Sequence, residues 1–174
     1  FIDQEGKMFT RILVPLDGSD NAERSLPYAR ALARTLEIPV TLITVVETAA
    51  DGFPKKVRDL DTRIQESMKS SEEYLEKISR TFAGASVQYT VEKGKAEDAI
   101  IINAAADNRT LITMASHGRS GVGRWLLGSV AEKVVHGANN AVLVVRANQE
   151  ITSEGEAAPD SIIVPLDGSS QAES

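Results

Sequence analysis

Short apolar runs rich in β-branched residues alternate along the chain with longer segments in which apolar residues recur every three or four positions. Five such runs predict strands, at residues 11–17, 40–46, 86–94, 110–115 and 141–146. The segments between them have helical spacing and predict four helices. This alternation predicts a doubly wound α/β fold in which a five-stranded parallel sheet carries helices on both faces.

Two of the predicted helices have informative details. Asp20 with Glu23 three residues later is typical of a capping box at the start of the first helix. Pro27 follows beyond the first turn, which predicts a kink or a late helix start at that point. The second helix is long and amphipathic, with its apolar face at Leu60, Ile64, Met68, Leu75, Ile78 and Phe82.

The order of elements also predicts where a ligand would bind. Strands 1 to 3 laid outward in one direction, with strands 4 and 5 on the other side, give the sheet order 3-2-1-4-5. In doubly wound sheets, ligands bind at the carboxyl ends of the strands where the winding reverses, here between strands 1 and 4. The loops that meet there read Leu-Asp-Gly-Ser at 16–19 and Ala-Ser-His-Gly-Arg-Ser-Gly-Val-Gly at 115–123.

The second loop has the composition of an anion site. Its glycines let backbone N–H groups approach an anion, and Gly128-Ser129 stand at a helix start, where unpaired N–H groups and the helix dipole favour phosphate. The same glycines would also serve a tight strand-to-helix connection without any ligand. His117 lies on the same loop. We expect its side chain to be exposed there.

Composition excludes several classes of function. A net charge of −6 argues against a nucleic-acid partner, because such proteins need a basic face. The apolar runs are much shorter than the roughly 20 residues of a membrane span, and no secretory signal is seen, so we expect a cytoplasmic protein with no membrane partner. The absence of cysteine excludes thiol catalysis and disulfides. Neither a P-loop nor a dinucleotide fingerprint is present.

One phrase of the sequence occurs twice. Residues 12–23 and 162–173 are identical at nine of twelve positions, and an acidic stretch at 148–160 has the composition of a linker. We therefore expect a leader of added or trimmed sequence at 1–7, one complete domain at 8–147, the linker, and the first strand and turn of a truncated second copy at 161–174. A tail with an accidental strand-like motif is the alternative reading.

The phrases Val-Pro-Leu-Asp-Gly-Ser and Ala-Ser-His-Gly-Arg-Ser-Gly-Val-Gly-Arg-Trp-Leu-Leu-Gly-Ser resemble the universal stress protein family over roughly residues 9–146. ATP-binding members of that family carry the pattern G-x2-G-x9-G-[ST]. Here the pattern reads Ala115-x2-Gly118-x9-Gly128-Ser129, so the spacing is kept and the first glycine is replaced by alanine. The resemblance implies an adenine nucleotide at the junction of strands 1 and 4, namely ATP, with AMP and cyclic AMP as alternatives.

The resemblance also implies roles for individual residues. Asp17 would meet the ribose or adenine region and Val45 the adenine edge, while Met114 and Ala115 would line the floor. The remaining candidates lie along the two loops: Pro15 beside Asp17, Arg119 as a positive charge, and Gly118, Gly128, Ser129 and Val130 at the phosphates. Several of these residues have a simpler alternative role. Asp17 could cap a turn, Val45 and Met114 could be core residues, and Arg119 could be a solvated side chain.

Three classes of function remain open. The first is an ATP-binding stress-response regulator, with no catalytic residue assigned, at most slow ATP hydrolysis, and Mg²⁺ or Mn²⁺ held only by the phosphates. The second is a nucleotide-free interaction module that forms a homodimer through strand 5, since an apolar sheet edge favours pairing with another copy. The third is an enzyme such as an ATP pyrophosphatase of related fold.

Overall fold

The structure is a computed structural model and describes residues 8–47, 57–117 and 127–146, with the backbone alone for residues 57–60. Ten elements follow in order: β1 Arg11–Pro15, α1 Asp20–Glu23, α2 Leu26–Leu36, β2 Val40–Val46, α3 Val57–Ser79, β3 Val87–Lys93, α4 Ala96–Ala105, β4 Thr110–Ala115, α5 Ser129–Gly137 and β5 Val142–Val145. The predicted leader, linker and repeated strand lie outside the described residues, as do Gly118 and Arg119. None of the described helices has the length and apolar composition needed to cross a bilayer.

The five strands form one parallel sheet in the order β3-β2-β1-β4-β5, which confirms the predicted fold class. Strand β1 lies at the centre, and Ile12 pairs with Val40 of β2 on one side and with Leu111 of β4 on the other. Three consecutive residues of β1, Ile12 to Val14, are fully buried, because helices cover both faces of the strand.

Two apolar clusters, one on each face of the sheet, form the core. On the first face, α2 and the C-terminal half of α3 pack on β1 and β2, through Leu75 and Ile78 of α3 and through Phe82 just beyond its end. On the second face, α4 and α5 cover β1, β2 and β4 through Ile100, Ala104, Ala131 and Val134. The helix faces predicted from sequence are buried at these residues, whereas Ile64 and Met68 of α3 are only half-buried and the side chain of Leu60 lies outside the described residues.

The first helical segment is broken into two helices, whereas Pro27 led us to expect a kink or a late start in an unbroken helix. Helix α1 ends at Glu23 and α2 begins at Leu26, so that Pro27 falls in the first turn of α2, where its missing N–H costs no intrahelical hydrogen bond. The predicted capping box at Asp20 is wrong. Ser19 is the N-cap, and its hydroxyl accepts the N–H of Ala22 at 3.2 Å, so the cap lies one residue earlier.

Strand β1 is also shorter than predicted, because it ends at Pro15 and not at Asp17. Leu16 still donates its N–H to the carbonyl of Ile43 at 2.8 Å, and its own carbonyl accepts the hydroxyl of Thr44 at 2.9 Å. These two bonds fix the chain on β2 just beyond the strand. The turn that follows is thereby held at the carboxyl edge of the sheet.

The packing of α3 on the sheet gives a first testable prediction. Replacing Leu75 with Ala removes a fully buried side chain from the first cluster, and large-to-small changes of this kind cost about 2–5 kcal/mol of the free energy of unfolding. Replacing Ile102, which is 72% exposed on α4, should cost no more than about 0.5 kcal/mol. Urea denaturation of both variants measures the difference, and equal costs would contradict the packing described for α3.

Candidate functional site

A cleft of about 700 Å³ opens at the carboxyl edge of the sheet, between the ends of β1 and β4. Its walls come from the ends of β1, β2 and β4, from the first turns of α4 and α5, and from the middle of α3. The position is the winding reversal of a doubly wound sheet, where the sequence predicted a ligand. Its volume lies in the range typical of pockets for small organic ligands.

Eight of the ten predicted site residues line this cleft: Pro15, Asp17, Val45, Met114, Ala115, Gly128, Ser129 and Val130. The other two, Gly118 and Arg119, lie outside the described residues. The structure thus brings together residues that are more than a hundred positions apart in the sequence. What each of them contacts in a ligand stays a prediction.

The turn after β1 is organised by Asp17. Its Oδ1 accepts the N–H of Ser19 at 3.0 Å and the hydroxyl of Ser19 at 2.6 Å, and Gly18 between them has φ 78°. Glycine suits this position because a left-handed φ is strained for residues that carry a Cβ. Asp17 therefore does cap the turn, the simpler of its two predicted roles, and it does so while lining the cleft.

The other side of the cleft is the N-terminus of α5. The N–H of Gly128 donates to the carbonyl of Ser116 at 2.7 Å, which fastens the helix start to the end of β4. The first intrahelical bond is from the N–H of Glu132 to the carbonyl of Gly128, so the N–H groups of Ser129, Val130 and Ala131 precede the hydrogen-bonded ladder of the helix. Such a helix start attracts anions.

Glycine at position 128 has a steric reason of its own. A Cβ there would lie 3.3 Å from the Ser116 carbonyl oxygen and 3.4 Å from the His117 Cα, tighter than ordinary contacts. The bond to Ser116 also means that the N–H of Gly128 is already used within the protein. Gly128 therefore serves to hold the start of α5 against the end of β4. The N–H groups that are placed to contact an anion are those of the residues that follow it.

His117 departs from our expectation, because it is half-buried in the cleft wall and not exposed on the loop. Its Nδ1 lies 3.1 Å from the Ser116 hydroxyl, and its buried Nε2 has no hydrogen-bond partner within the described part of the chain.

Other lining residues were missed from sequence. The most informative are three serines on α3, Ser67, Ser70 and Ser71, which line the cleft from the first face of the sheet. Their spacing of three and four residues places them on one side of the helix, a signal that was present in the sequence. The remaining lining residues are Leu16, Ala22, Ile43, Thr44, Val46, Glu47, Ala96, Ile100, Ser116 and Ala131.

The charge of the lining is uneven. Among the residues that the structure describes, the cleft is lined by the carboxylates of Asp17 and Glu47 but by no lysine or arginine. Nor do the described ranges contain a group of three His, Cys, Asp or Glu residues that could hold a metal ion. Positive potential in the described cleft therefore comes from the start of α5.

Beside the cleft, an ion pair joins α4 to α5. The ammonium of Lys133 donates to Glu97 Oε1 at 2.6 Å, which links the first turn of α4 to the second turn of α5. This hydrogen bond is the main reason that the pKa of the Glu97 carboxyl is lowered and that of Lys133 raised. Both helices contribute residues to the cleft, so the pair helps to set the width between them.

Comparison with known proteins places the chain in context. The profile of the universal stress protein family matches residues 8–146. Universal stress protein MJ0531 of Methanocaldococcus jannaschii is 28% identical over 145 residues, which cover 80% of this chain and 83% of that protein. A universal stress protein of Thermus aquaticus is 31% identical over 143 residues, which cover 80% of this chain and all of that protein.

The fold has solved counterparts as well. The universal stress protein UspA from Lactobacillus plantarum superposes with a TM-score of 0.72 over 79% of this chain and 98% of that protein, at 23% identity. At this identity, the likeness establishes the fold. It agrees with the sheet order and with the two layers of helices described above.

The ion pair between α4 and α5 predicts a pH dependence. Because the folded pKa of Glu97 is lowered, its stabilisation is present above the ordinary carboxyl pKa of about 4.3 and is lost as the pH falls through the folded value. Because the pKa of Lys133 is raised in the folded protein, the stabilisation that its charge contributes is lost only as the pH rises through that folded value, above about 10.4. The pair should therefore contribute between about pH 5 and pH 10.

Urea denaturation of the Glu97→Gln variant tests this. The variant should be slightly less stable than the unmodified protein at pH 7 in low salt. The difference should be smaller at pH 3, and it should also shrink in 1 M NaCl, where the Debye length is only about 3 Å. A difference that is the same at pH 3 and pH 7 would show that the loss is not electrostatic.

Proposed function

Because the chain belongs to the universal stress protein family, we propose that its cleft binds an adenine nucleotide, with ATP as the leading candidate and AMP or cyclic AMP as alternatives. The observation that carries the proposal is the convergence of the Asp17 turn and the start of α5 on one cleft of about 700 Å³. One end offers a carboxylate that accepts hydroxyl hydrogens, and the other offers backbone N–H groups for phosphate.

The shape and polarity of the cleft suit the parts of a nucleotide. Val45, Met114 and Ile100 supply an apolar surface within the cleft, as the flat face of a base requires. The N–H groups at the start of α5 suit the phosphates. Mg²⁺ or Mn²⁺ would then be held by the phosphate oxygens, since the described residues offer no metal cluster of their own.

A protein of this fold offers a precedent of limited scope. A universal stress protein solved in complex with cAMP superposes on 80% of this chain with a TM-score of 0.54. Its sequence identity of 19% means that the likeness concerns the fold alone. Support for nucleotide binding by this chain therefore comes from its own cleft and from the glycine pattern of its sequence.

We propose further that binding acts by changing conformation or assembly in a cytoplasmic stress-response regulator, with at most slow hydrolysis of ATP. Asp17 is the carboxylate nearest the turn, and its Oδ1 already accepts two hydrogen bonds from Ser19. An Oδ1 engaged in this way is better placed to hold the turn than to remove a proton from water.

A second candidate function, homodimerisation, is favoured by strand β5. The carbonyls of Ala141 and Val145 accept hydrogen bonds from β4 at 2.9 and 2.7 Å. By the alternation of a parallel ladder, the backbone groups of Val142 and Val144 then point to the other side of β5, which is the edge of the sheet. Such an edge can pair with a second copy of the chain.

The nucleotide proposal predicts the effect of changes at Gly128. In the Gly128→Val variant, the added methyl groups would press on the Ser116 carbonyl and push the start of α5 away from β4. Calorimetric titration should show at least about a tenfold loss of ATP affinity. Val135→Ala, on an exposed position of the same helix, is the matched control and should bind as the unmodified protein does.

Titration of the unmodified protein with ATP, AMP and cyclic AMP identifies the preferred nucleotide. Unchanged affinity in Gly128→Val, with the fold intact by circular dichroism, would contradict the assignment of phosphates to this helix start. Turnover above roughly one ATP per minute would favour the enzyme alternative over a binding domain.

The dimer proposal predicts the effect of blocking the sheet edge. Val144→Pro removes an N–H that points away from β4, so it should abolish edge pairing while leaving the bonds from β4 in place. Sedimentation analysis should show a dimer for the unmodified protein and a monomer for the variant. A dimer that persists in the variant, or a monomeric unmodified protein, would rule out assembly through β5.

A further inference from the structure

Helix α3 is longer than the sheet it packs on. Its 23 residues span about 34 Å, whereas the seven-residue strands β2 and β3 span about 23 Å. The residues that anchor it to the core, Leu75 and Ile78, lie near its C-terminal end, and Phe82 follows just after the helix. The preceding half of α3 therefore extends to the carboxyl edge of the sheet and forms a wall of the cleft.

The inward face of α3 changes character along its length. Ser71 lies four residues before Leu75 and seven before Ile78, so it continues the same face of the helix, and Ser67 lies one turn before Ser71. Where the helix packs on the sheet, this face is apolar and buried. Where the helix borders the cleft, the face presents the hydroxyls of Ser67, Ser70 and Ser71.

This serine wall lies at the Asp17 end of the cleft. Tyr74 is one helical turn from Ser70 and Ser71, and its hydroxyl donates to Glu23 Oε1 of α1 at 3.0 Å. Burial raises the pKa of Tyr74, and the charges of Glu23, Asp17 and Asp20 raise it further. The hydroxyl of Tyr74 is therefore within the field of the carboxylates around the Asp17 turn.

The chemistry of that end suits neutral hydroxyl groups and disfavours phosphate. Carboxylates repel phosphate oxygens but accept hydrogen bonds from hydroxyls, and serine hydroxyls both donate and accept. The phosphates then belong at the opposite end, at the N–H groups of Ser129 and Val130. In a nucleotide the sugar joins the base to the phosphates, so with the phosphates at the start of α5 the sugar lies next to them and can turn its hydroxyls toward the Asp17 turn and α3.

We propose that Ser67, Ser70 and Ser71 are specificity-determining residues that, together with Asp17, recognise the sugar hydroxyls of the bound nucleotide. This inference rests on the proposed function and extends it, because it assigns the chain a preference for ribonucleotides over deoxyribonucleotides. A site that hydrogen-bonds a substrate hydroxyl discriminates against the analogue that lacks it, since polar groups that the bound ligand covers are then left unpaired.

The test is calorimetric titration with ATP, 2′-deoxy-ATP and 3′-deoxy-ATP. The unmodified protein should bind ATP at least about fivefold more tightly than one or both of the deoxy analogues, as the loss of a hydrogen bond implies. The Ser67→Ala/Ser70→Ala/Ser71→Ala variant should lose about tenfold in ATP affinity. Its affinity for any deoxy analogue that the unmodified protein binds more weakly than ATP should change less than about twofold. Alanine raises helix propensity, so α3 should stay folded in this variant.

The matched control is Lys69→Ala/Glu73→Ala, which removes an exposed ion pair from the outer face of the same helix and leaves the net charge unchanged. It should bind all three nucleotides as the unmodified protein does. Equal affinity of the unmodified protein for ATP and both deoxy analogues overturns the inference without any variant. An equal loss for ATP and the deoxy analogues in the serine variant also overturns it, because the serines would then recognise another part of the ligand.

These failures differ from failure of the proposed function. If the unmodified protein binds ATP but does not distinguish the sugars, nucleotide binding stands and the role of α3 falls. If the unmodified protein binds none of the three nucleotides, the proposed function falls, and the assignment of the serines falls with it.

Discussion

Strand β1 forms backbone hydrogen bonds along both of its edges, to β2 on one side and to β4 on the other, in parallel with each. Because β1 is paired on both sides, the connection from β1 to β2 runs over one face of the sheet and the connection from β4 to β5 runs over the opposite face. The carboxyl ends of β1 and β4 therefore lie side by side with no helix across them. The cleft is a consequence of that arrangement.

Each end of the cleft is fixed by a few short-range bonds. Ser19 caps α1 and donates to Asp17, so the turn after β1 and the helix that follows form one hydrogen-bonded unit. The bond from Gly128 to Ser116 does the same for α5 and β4. A ligand that touches both ends would bridge these two units, which gives binding a physical route to conformation.

The parts of the structure that the sequence predicted are those set by periodicity. The strands, the sheet order and the buried faces of the helices follow from where apolar residues recur, because burial selects that recurrence. The glycine pattern and the Asp-Gly-Ser turn located most of the cleft. The limits of β1 and the N-cap of α1 were less exact, since neighbouring residues such as Ser19 and Asp20 are both good caps and only local geometry decides between them.

What sequence did not reveal depends on how elements extend past one another. Nothing in the pattern of α3 says where the sheet beneath it ends, so Ser67 and Ser71 could not be assigned to a cleft from their spacing alone. The half-buried position of His117 likewise depends on the packing of Gly128 against it. The repeated phrase at 162–173 stays a prediction, because it lies outside the described residues.

The central claim is that one nucleotide contacts both the Asp17 turn and the start of α5. Backbone amide chemical shifts measured by NMR during an ATP titration test this most directly. The account predicts the largest changes at Asp17, Ser129 and Val130, in two stretches far apart in sequence, all saturating together. Changes confined to one stretch, or centred on Arg109 and Asn140 at the opposite edge of the sheet, would contradict it.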